Sequence, residues 1–107
     1  MEIKELAENV GLNVEEFSEI LEIYIETTKP HLEELQAALQ VGDAQKAHEK
    51  AHSIKGASGN LGLNELYDLA REIDDSICEN SIDGLEDSVQ VLCEKYDTLV
   101  EEFENIG

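Results

Sequence analysis

Apolar residues recur every three or four positions through almost the whole chain, which is the spacing of one face of an α-helix. The longest series of inward positions comprises Val14, Phe17, Ile20, Leu21, Tyr24, Ile25, Thr28, Leu32, Leu35 and Leu39. No segment shows the sustained alternation of apolar and polar residues that is typical of a half-buried strand. The pattern therefore predicts an all-α fold.

Short polar or glycine-containing breaks end each helical series. The breaks are Gly11, Gly42 with Asp43, Gly62, and the segment 79–84 (ENSIDG), which we interpret as a turn. Glycine just after a periodic segment is typical of a helix C-terminus, and a following Asp or Asn is typical of the next N-cap. We predict a short N-terminal helix, then four long helices at about residues 14–41, 43–61, 64–79 and 84–105.

Local signals refine the first long helix. Asn13, followed three residues later by Glu16, predicts a capping box at its start. Pro30 lacks an amide proton and interrupts the helix, yet the apolar series continues in phase beyond it. We therefore expect one bent helix with a kink near Thr27 rather than two unrelated helices.

Four long amphipathic helices joined by short links predict an antiparallel up-down four-helix bundle with a short N-terminal helix. A chain of 107 residues is long enough for one modest hydrophobic core and too short for two. We therefore expect a single domain over residues 1–107.

The charge balance excludes several classes of partner. The chain has 26 acidic and 7 basic residues and a formal net charge of −19, so it lacks the basic patches that nucleic acids or anionic membranes require. It also has no apolar run of the roughly 20 residues that span a bilayer and no secretory signal at its N-terminus. We expect a cytoplasmic monomer in which Cys78 and Cys93 are small buried hydrophobic residues.

The second long helix contains the candidate chemistry. Its apolar face is formed by Ala47, Ala51, Ile54, Ser58 and Leu61. At about 100° per residue, His48, His52, Lys55 and Gly59 lie roughly 80–140° from that face, and Gly56 lies roughly opposite it. This stripe should face solvent, so His52 is not a core histidine. For His48 alone, a solvated surface histidine is the preferred interpretation.

Two glycines on an exposed helical face are unusual. Each costs roughly 1 kcal/mol of helix stability relative to alanine, so Gly56 and Gly59 indicate close approach of another molecule. Helix fraying or packing against another helix is the alternative. Lys55, one turn after His52, is placed to offset the charge on a phosphorylated imidazole, although a plain surface lysine remains an alternative.

The segment HEKAH, residues 48–52, matches the zinc-protease pattern H-E-x-x-H. Glu65 or Glu72 can be nominated as a third ligand, but a small bundle offers no water-excluding cleft in which three ligands converge. We therefore predict no metal site and consider a zinc hydrolase a remote alternative. A second alternative is a non-catalytic acidic helical interaction module, which explains the charge but not the cluster around His52.

The run AHSIKGASGNLGLNELYDLAREID, residues 51–74, closely resembles the signature of histidine-containing phosphotransfer (HPt) domains of bacterial phosphorelays. The upstream segment FSEILEIYIETTKPHLEELQAALQVGD also resembles the family's first long helix. The resemblance implies that His52 is the phosphoacceptor, that Lys55 supports the phosphoryl group, and that Gly56 leaves room for the partner. Gly59 lies on the same docking face. His48 is outside the family's core pattern, and its functional interpretation is a third receiver-docking residue beside Gly56 and Gly59.

The resemblance also implies a function. Such a domain accepts a phosphoryl group from a receiver-domain aspartate and passes it to another response regulator. It is a phosphocarrier without ATP-dependent kinase activity of its own, and its partners are receiver domains and a hybrid sensor histidine kinase. We expect no resident cofactor, because the receiver supplies the oxygen ligands that Mg²⁺ prefers.

Overall fold

The computed structural model describes residues 2–79 and 84–105 and contains five α-helices in that part of the chain. They are α1 (Ile3–Asn9), α2 (Val14–Val41), α3 (Ala44–Asn60), α4 (Asn64–Glu79) and α5 (Glu86–Asn105). No strand occurs among these residues, so the prediction of an all-α fold is confirmed. The predicted turn at 79–84 falls mostly on residues 80–83, outside the described residues.

Helices α2 to α5 form the bundle, since each packs against its neighbour in sequence and α5 closes the ring against α2. The short links from α2 to α3 and from α3 to α4 reverse the chain direction, as in an up-down bundle. Helix α1 packs against α2. The four long helices match the predicted positions to within two residues at each end.

The predicted start of α2 is confirmed in detail. The amide of Glu16 donates to Oδ1 of Asn13 at 2.8 Å, and the amide of Asn13 donates to Oε1 of Glu16 at 3.2 Å. The helix then continues through Pro30 without a break, so the expectation of one helix is correct. The kink near Thr27 stays a prediction.

The C-terminus of α2 and the N-terminus of α3 are formed by the residues that the sequence indicates. Gly42 follows α2 in the left-handed region, with φ of 74°, a conformation that glycine adopts without a Cβ penalty. The carboxylate of Asp43 then accepts a hydrogen bond from the amide of Lys46 at 3.1 Å. This sharp reversal sets α3 back alongside α2.

The core is mostly aliphatic, with Phe17 and with two tyrosines whose hydroxyls reach polar partners inside it. Tyr24 on α2 shares a 2.8 Å hydrogen bond with the hydroxyl of Ser58 on α3. Tyr96 on α5 donates to the backbone carbonyl of Ile25 at 2.7 Å. Because buried polar groups are costly when unpaired, these bonds fix the positions of α3 and α5 against α2.

Three expectations about burial are wrong. Val14 and Ile20 are 36% and 38% exposed, and Ile20 borders a groove at the edge of the α2–α3 contact, beside Ala57 and Leu61. Cys78 is exposed rather than a buried hydrophobic residue, whereas Cys93 is partly buried. Burial raises the pKa of the Cys93 thiol, and Asp97 and Glu94 add to the effect.

No helix among the described residues is both long enough and apolar enough to cross a bilayer.

Candidate functional site

Helix α3 presents His52 to solvent because its opposite face is fully buried. Ala47, Ala51, Ile54 and Ser58 are each 0% exposed, which fixes the rotation of the helix about its axis. The His52 side chain is 65% exposed. The prediction that His52 is not a core histidine is confirmed.

Asp74 on α4 lies behind His52, and no motif in the sequence indicates it as a site residue. Its side chain is 5% exposed, with Oδ2 3.7 Å from Nδ1 of His52 and 3.5 Å from Nζ of Lys55. A carboxylate this deeply buried needs positive or hydrogen-bonding partners. The available signal was its position within the buried stripe that includes Ala70, Ile73 and Ile77.

His48 is not a simple solvated histidine, and our preferred interpretation of it is wrong. Its Nδ1 lies 2.5 Å from Oδ1 of Asp74, and its side chain is only 43% exposed. The ring centroids of His48 and His52 are 5.9 Å apart. The reason is that α4 packs along this flank of α3 and brings Asp74 under both imidazoles.

Lys55 is likewise more than a plain surface lysine. Its side chain is 23% exposed, and its ammonium faces the buried carboxylate of Asp74. One turn after His52, it places a positive charge beside the exposed imidazole. The carboxylate of Asp74 therefore lies near three side chains that are or can become positively charged, namely His48, His52 and Lys55.

The two glycines of the stripe have different surroundings. A Cβ built on Gly56 would meet no atom within 4 Å, so the helix surface next to His52 is bare and open. A Cβ on Gly59 would lie 3.1 Å from Cδ1 of Tyr67 on α4. Close packing of the Tyr67 ring therefore accounts for Gly59, which is the helix-packing alternative, whereas nothing internal accounts for Gly56.

Behind the exposed face, Ser58 connects α3 to α2 through its hydrogen bond with Tyr24. Burial raises the pKa of the Tyr24 hydroxyl, and hydrogen bonds with Ser58 and Thr28 partly oppose that rise. The hydroxyl therefore stays protonated and keeps its partner.

One group of potential metal ligands occurs among the described residues, namely His48, Asp74 and Cys78. It does not include Glu65 or Glu72, the third ligands that the H-E-x-x-H hypothesis nominates. Glu49, which would serve as the general base of that hypothesis, has an exposed side chain.

Comparisons with known proteins agree with this geometry. The family model described as "Hpt domain" matches residues 19–105. No curated protein sequence gives a significant match to the chain. The crystal structure of histidine-containing phosphotransfer protein B from Pseudomonas aeruginosa PAO1 is similar, with a TM-score of 0.78 and 26% identity, covering 85% of this chain and 79% of that chain. The protein therefore belongs to the family of Hpt domains, which act as phosphocarriers rather than kinases in phosphorelays.

Proposed function

We propose that this domain accepts a phosphoryl group on His52 from the phosphorylated aspartate of a receiver domain and passes it to another response regulator. A hybrid sensor histidine kinase is the expected origin of the phosphoryl group. The observation that supports this assignment most strongly is the combination of a largely exposed His52 with the bare backbone of Gly56 one turn away.

The proposed acceptor atom is Nε2 of His52. The carboxylate of Asp74 faces Nδ1 and favours a proton on that nitrogen, which leaves the lone pair on Nε2. This pair attacks phosphorus, the bond between phosphorus and the aspartyl oxygen breaks, and the bonding electrons leave with the receiver's carboxylate. Asp74 then balances the positive charge of the phosphorylated ring.

Lys55 supports the transferred group in this proposal. Its ammonium lies on the same flank as the imidazole and would attract the phosphoryl oxygens. The domain contributes no metal to the transfer. The receiver provides Mg²⁺ and the groups that position the phosphoryl, because Mg²⁺ prefers oxygen ligands and bound phosphates.

The partner's active site must approach His52 closely. The open space over Gly56 allows this approach, and a larger side chain there would stand between the two surfaces. We propose that the domain docks as a monomer.

The decisive experiment mixes the purified domain with a radiolabelled phospho-receiver. We expect the wild-type domain to acquire a label that is acid-labile and base-stable, and His52→Gln to acquire none while its helical circular dichroism is unchanged. His31→Gln, which alters a histidine of α2, is the matched control and should be labelled normally. Labelling of His52→Gln would contradict the assignment.

A further inference from the structure

Three potential ligand atoms of different chemistry meet on the flank between α3 and α4. Nδ1 of His48 lies 2.5 Å from Oδ1 of Asp74 and 3.4 Å from Sγ of Cys78. Sγ of Cys78 lies 4.0 Å from Oδ1 of Asp74. Asp74 and Cys78 are four residues apart on α4, so both side chains project from the same face of that helix.

The three atoms lie close enough together for one zinc ion to bind them all after side-chain rotations. Zn²⁺ binds nitrogen and oxygen at about 2.0–2.2 Å and thiolate at about 2.3 Å, so neighbouring ligands of a tetrahedral ion are about 3.3–3.7 Å apart. The nitrogen-to-sulfur distance of 3.4 Å lies within this range, whereas the 2.5 Å nitrogen-to-oxygen distance is shorter and the 4.0 Å sulfur-to-oxygen distance is longer. Small side-chain rotations would bring all three ligands to one ion.

The chemistry and accessibility of the group favour the same ion. A set of imidazole, carboxylate and thiolate suits Zn²⁺ better than Mg²⁺ or Ca²⁺, which take oxygen ligands. Cys78 and the partly exposed His48 leave a path from solvent. The buried carboxylate of Asp74 supplies a negative charge that is already held in place.

We propose that His48, Asp74 and Cys78 form a three-ligand Zn²⁺ site, and that its occupation slows phosphoryl transfer through His52. The second part rests on the proposed function. In the metal-free protein, Asp74 faces His52 and Lys55. A zinc ion bound to this carboxylate neutralises its charge, so it no longer offsets the positive charge that the phosphorylated imidazole acquires.

The binding test is a Zn²⁺ titration of the reduced, untagged chain in competition with a chromophoric chelator. We expect Cys78→Ser and His48→Gln each to weaken binding by about tenfold or more. Cys93→Ser and His31→Gln are the matched controls and should bind Zn²⁺ as the wild type does. With Co²⁺ as the probe, thiolate-to-cobalt absorption should appear in the wild type and be lost in Cys78→Ser.

Two results would overturn the site. One is a Cys78→Ser variant that binds Zn²⁺ as tightly as the wild type. The other is binding that is lost in His52→Gln but not in Cys78→Ser, which would assign the ion to the pair His48 and His52 alone.

The second test compares transfer rates with Zn²⁺ and with a chelator present, using one phosphorylated receiver throughout. The wild-type transfer rate should fall about tenfold when Zn²⁺ is bound. For Cys78→Ser, the ratio of the rate with Zn²⁺ to the rate with chelator should stay near one. An unchanged wild-type ratio at saturating Zn²⁺ would overturn the inhibitory role. If the wild type takes up no label at all, the proposed function fails, and the titration still decides the metal site.

Discussion

Oδ2 of Asp74 lies 3.7 Å from Nδ1 of His52, so the exposed imidazole is backed by a carboxylate that is itself 5% exposed. The distance exceeds that of a direct hydrogen bond and is within the range of an ion pair. Because the buried carboxylate lies near Nδ1, the two ring nitrogens of His52 are in different electrostatic environments. We therefore propose that Asp74 is a positioning residue for His52.

Asp74→Asn removes that charge while conserving the shape of the side chain. We expect phosphoryl transfer to slow by about 10- to 100-fold, because the variant loses the negative charge that offsets the positive charge of the phosphorylated imidazole. Transfer is measured with a phosphorylated receiver. In parallel, ¹⁵N NMR should show a larger fraction of His52 with its proton on Nε2.

Asp75→Asn is the matched control for Asp74→Asn, because Asp75 is the next residue of α4 and is exposed. It should leave both the rate and the tautomer ratio of His52 unchanged. A slow Asp74→Asn variant with an unaltered tautomer ratio would assign Asp74 a purely structural role.

Lys55 and Lys50 allow a second matched comparison. Both belong to α3 and both side chains are 23% exposed, but Lys55 faces Asp74 whereas Lys50 pairs with Glu34 at 2.7 Å. Lys55→Ala should shorten the lifetime of the phosphohistidine or slow transfer by about two- to fivefold, the size of a partly exposed charge interaction. Lys50→Ala should change neither quantity, and equal effects of the two variants would contradict a specific role for Lys55.

Gly56 and Gly59 should respond differently to alanine. At Gly56 the new Cβ meets open space, so Gly56→Ala should raise the free energy of unfolding by up to about 1 kcal/mol through helix propensity. At Gly59 the new Cβ would press on the ring of Tyr67, and the gain should be smaller or reversed. Urea denaturation of both variants measures the difference, and an equal gain at both positions would contradict the packing argument.

A larger side chain at Gly56 tests the steric argument directly. Gly56→Gln should fold at least as stably as the wild type and yet transfer phosphoryl groups more slowly, because its side chain occupies the space next to His52. Stopped-flow or quench-flow transfer kinetics measure the effect. Normal kinetics in a folded Gly56→Gln variant would show that no partner surface approaches this position.

The raised pKa of Tyr96 predicts a loss of stability at alkaline pH. Burial raises its pKa to about 12 from an ordinary value of 10.0, so the folded state keeps a proton that the unfolded chain releases. The contribution of this pKa difference to the free energy of unfolding is complete below pH 10 and is lost progressively as the pH rises toward 12. Tyr96→Phe should make the free energy of unfolding fall less steeply over this interval, as measured by urea denaturation, and an equally steep fall would contradict the assignment.

Much of the fold could be predicted because its determinants are local. The capping pair of Asn13 and Glu16 and the reversal at Gly42 depend on a few neighbouring residues. The exposure of His52 follows from the apolar face of its own helix. These features do not depend on how one helix is placed against another.

The rest of the site could not be predicted, because it depends on the register between α3 and α4. That register brings Asp74 under His48 and His52 and sets Tyr67 against Gly59. In a chain with 26 acidic residues, one carboxylate on a buried stripe is hard to distinguish from the many that are solvated. Its neighbours Ala70 and Ile73 are the local evidence that Asp74 faces inward.

Helix α3 is anchored on both sides, by the hydrogen bond of Ser58 with Tyr24 on α2 and by the contacts of Lys55 and His48 with Asp74 on α4. A helix held in this way has little freedom left to lose when a partner binds. We therefore expect α3 to present the same rigid surface to every partner protein. Discrimination among them would then depend on surface complementarity, with no refolding of the carrier between one encounter and the next.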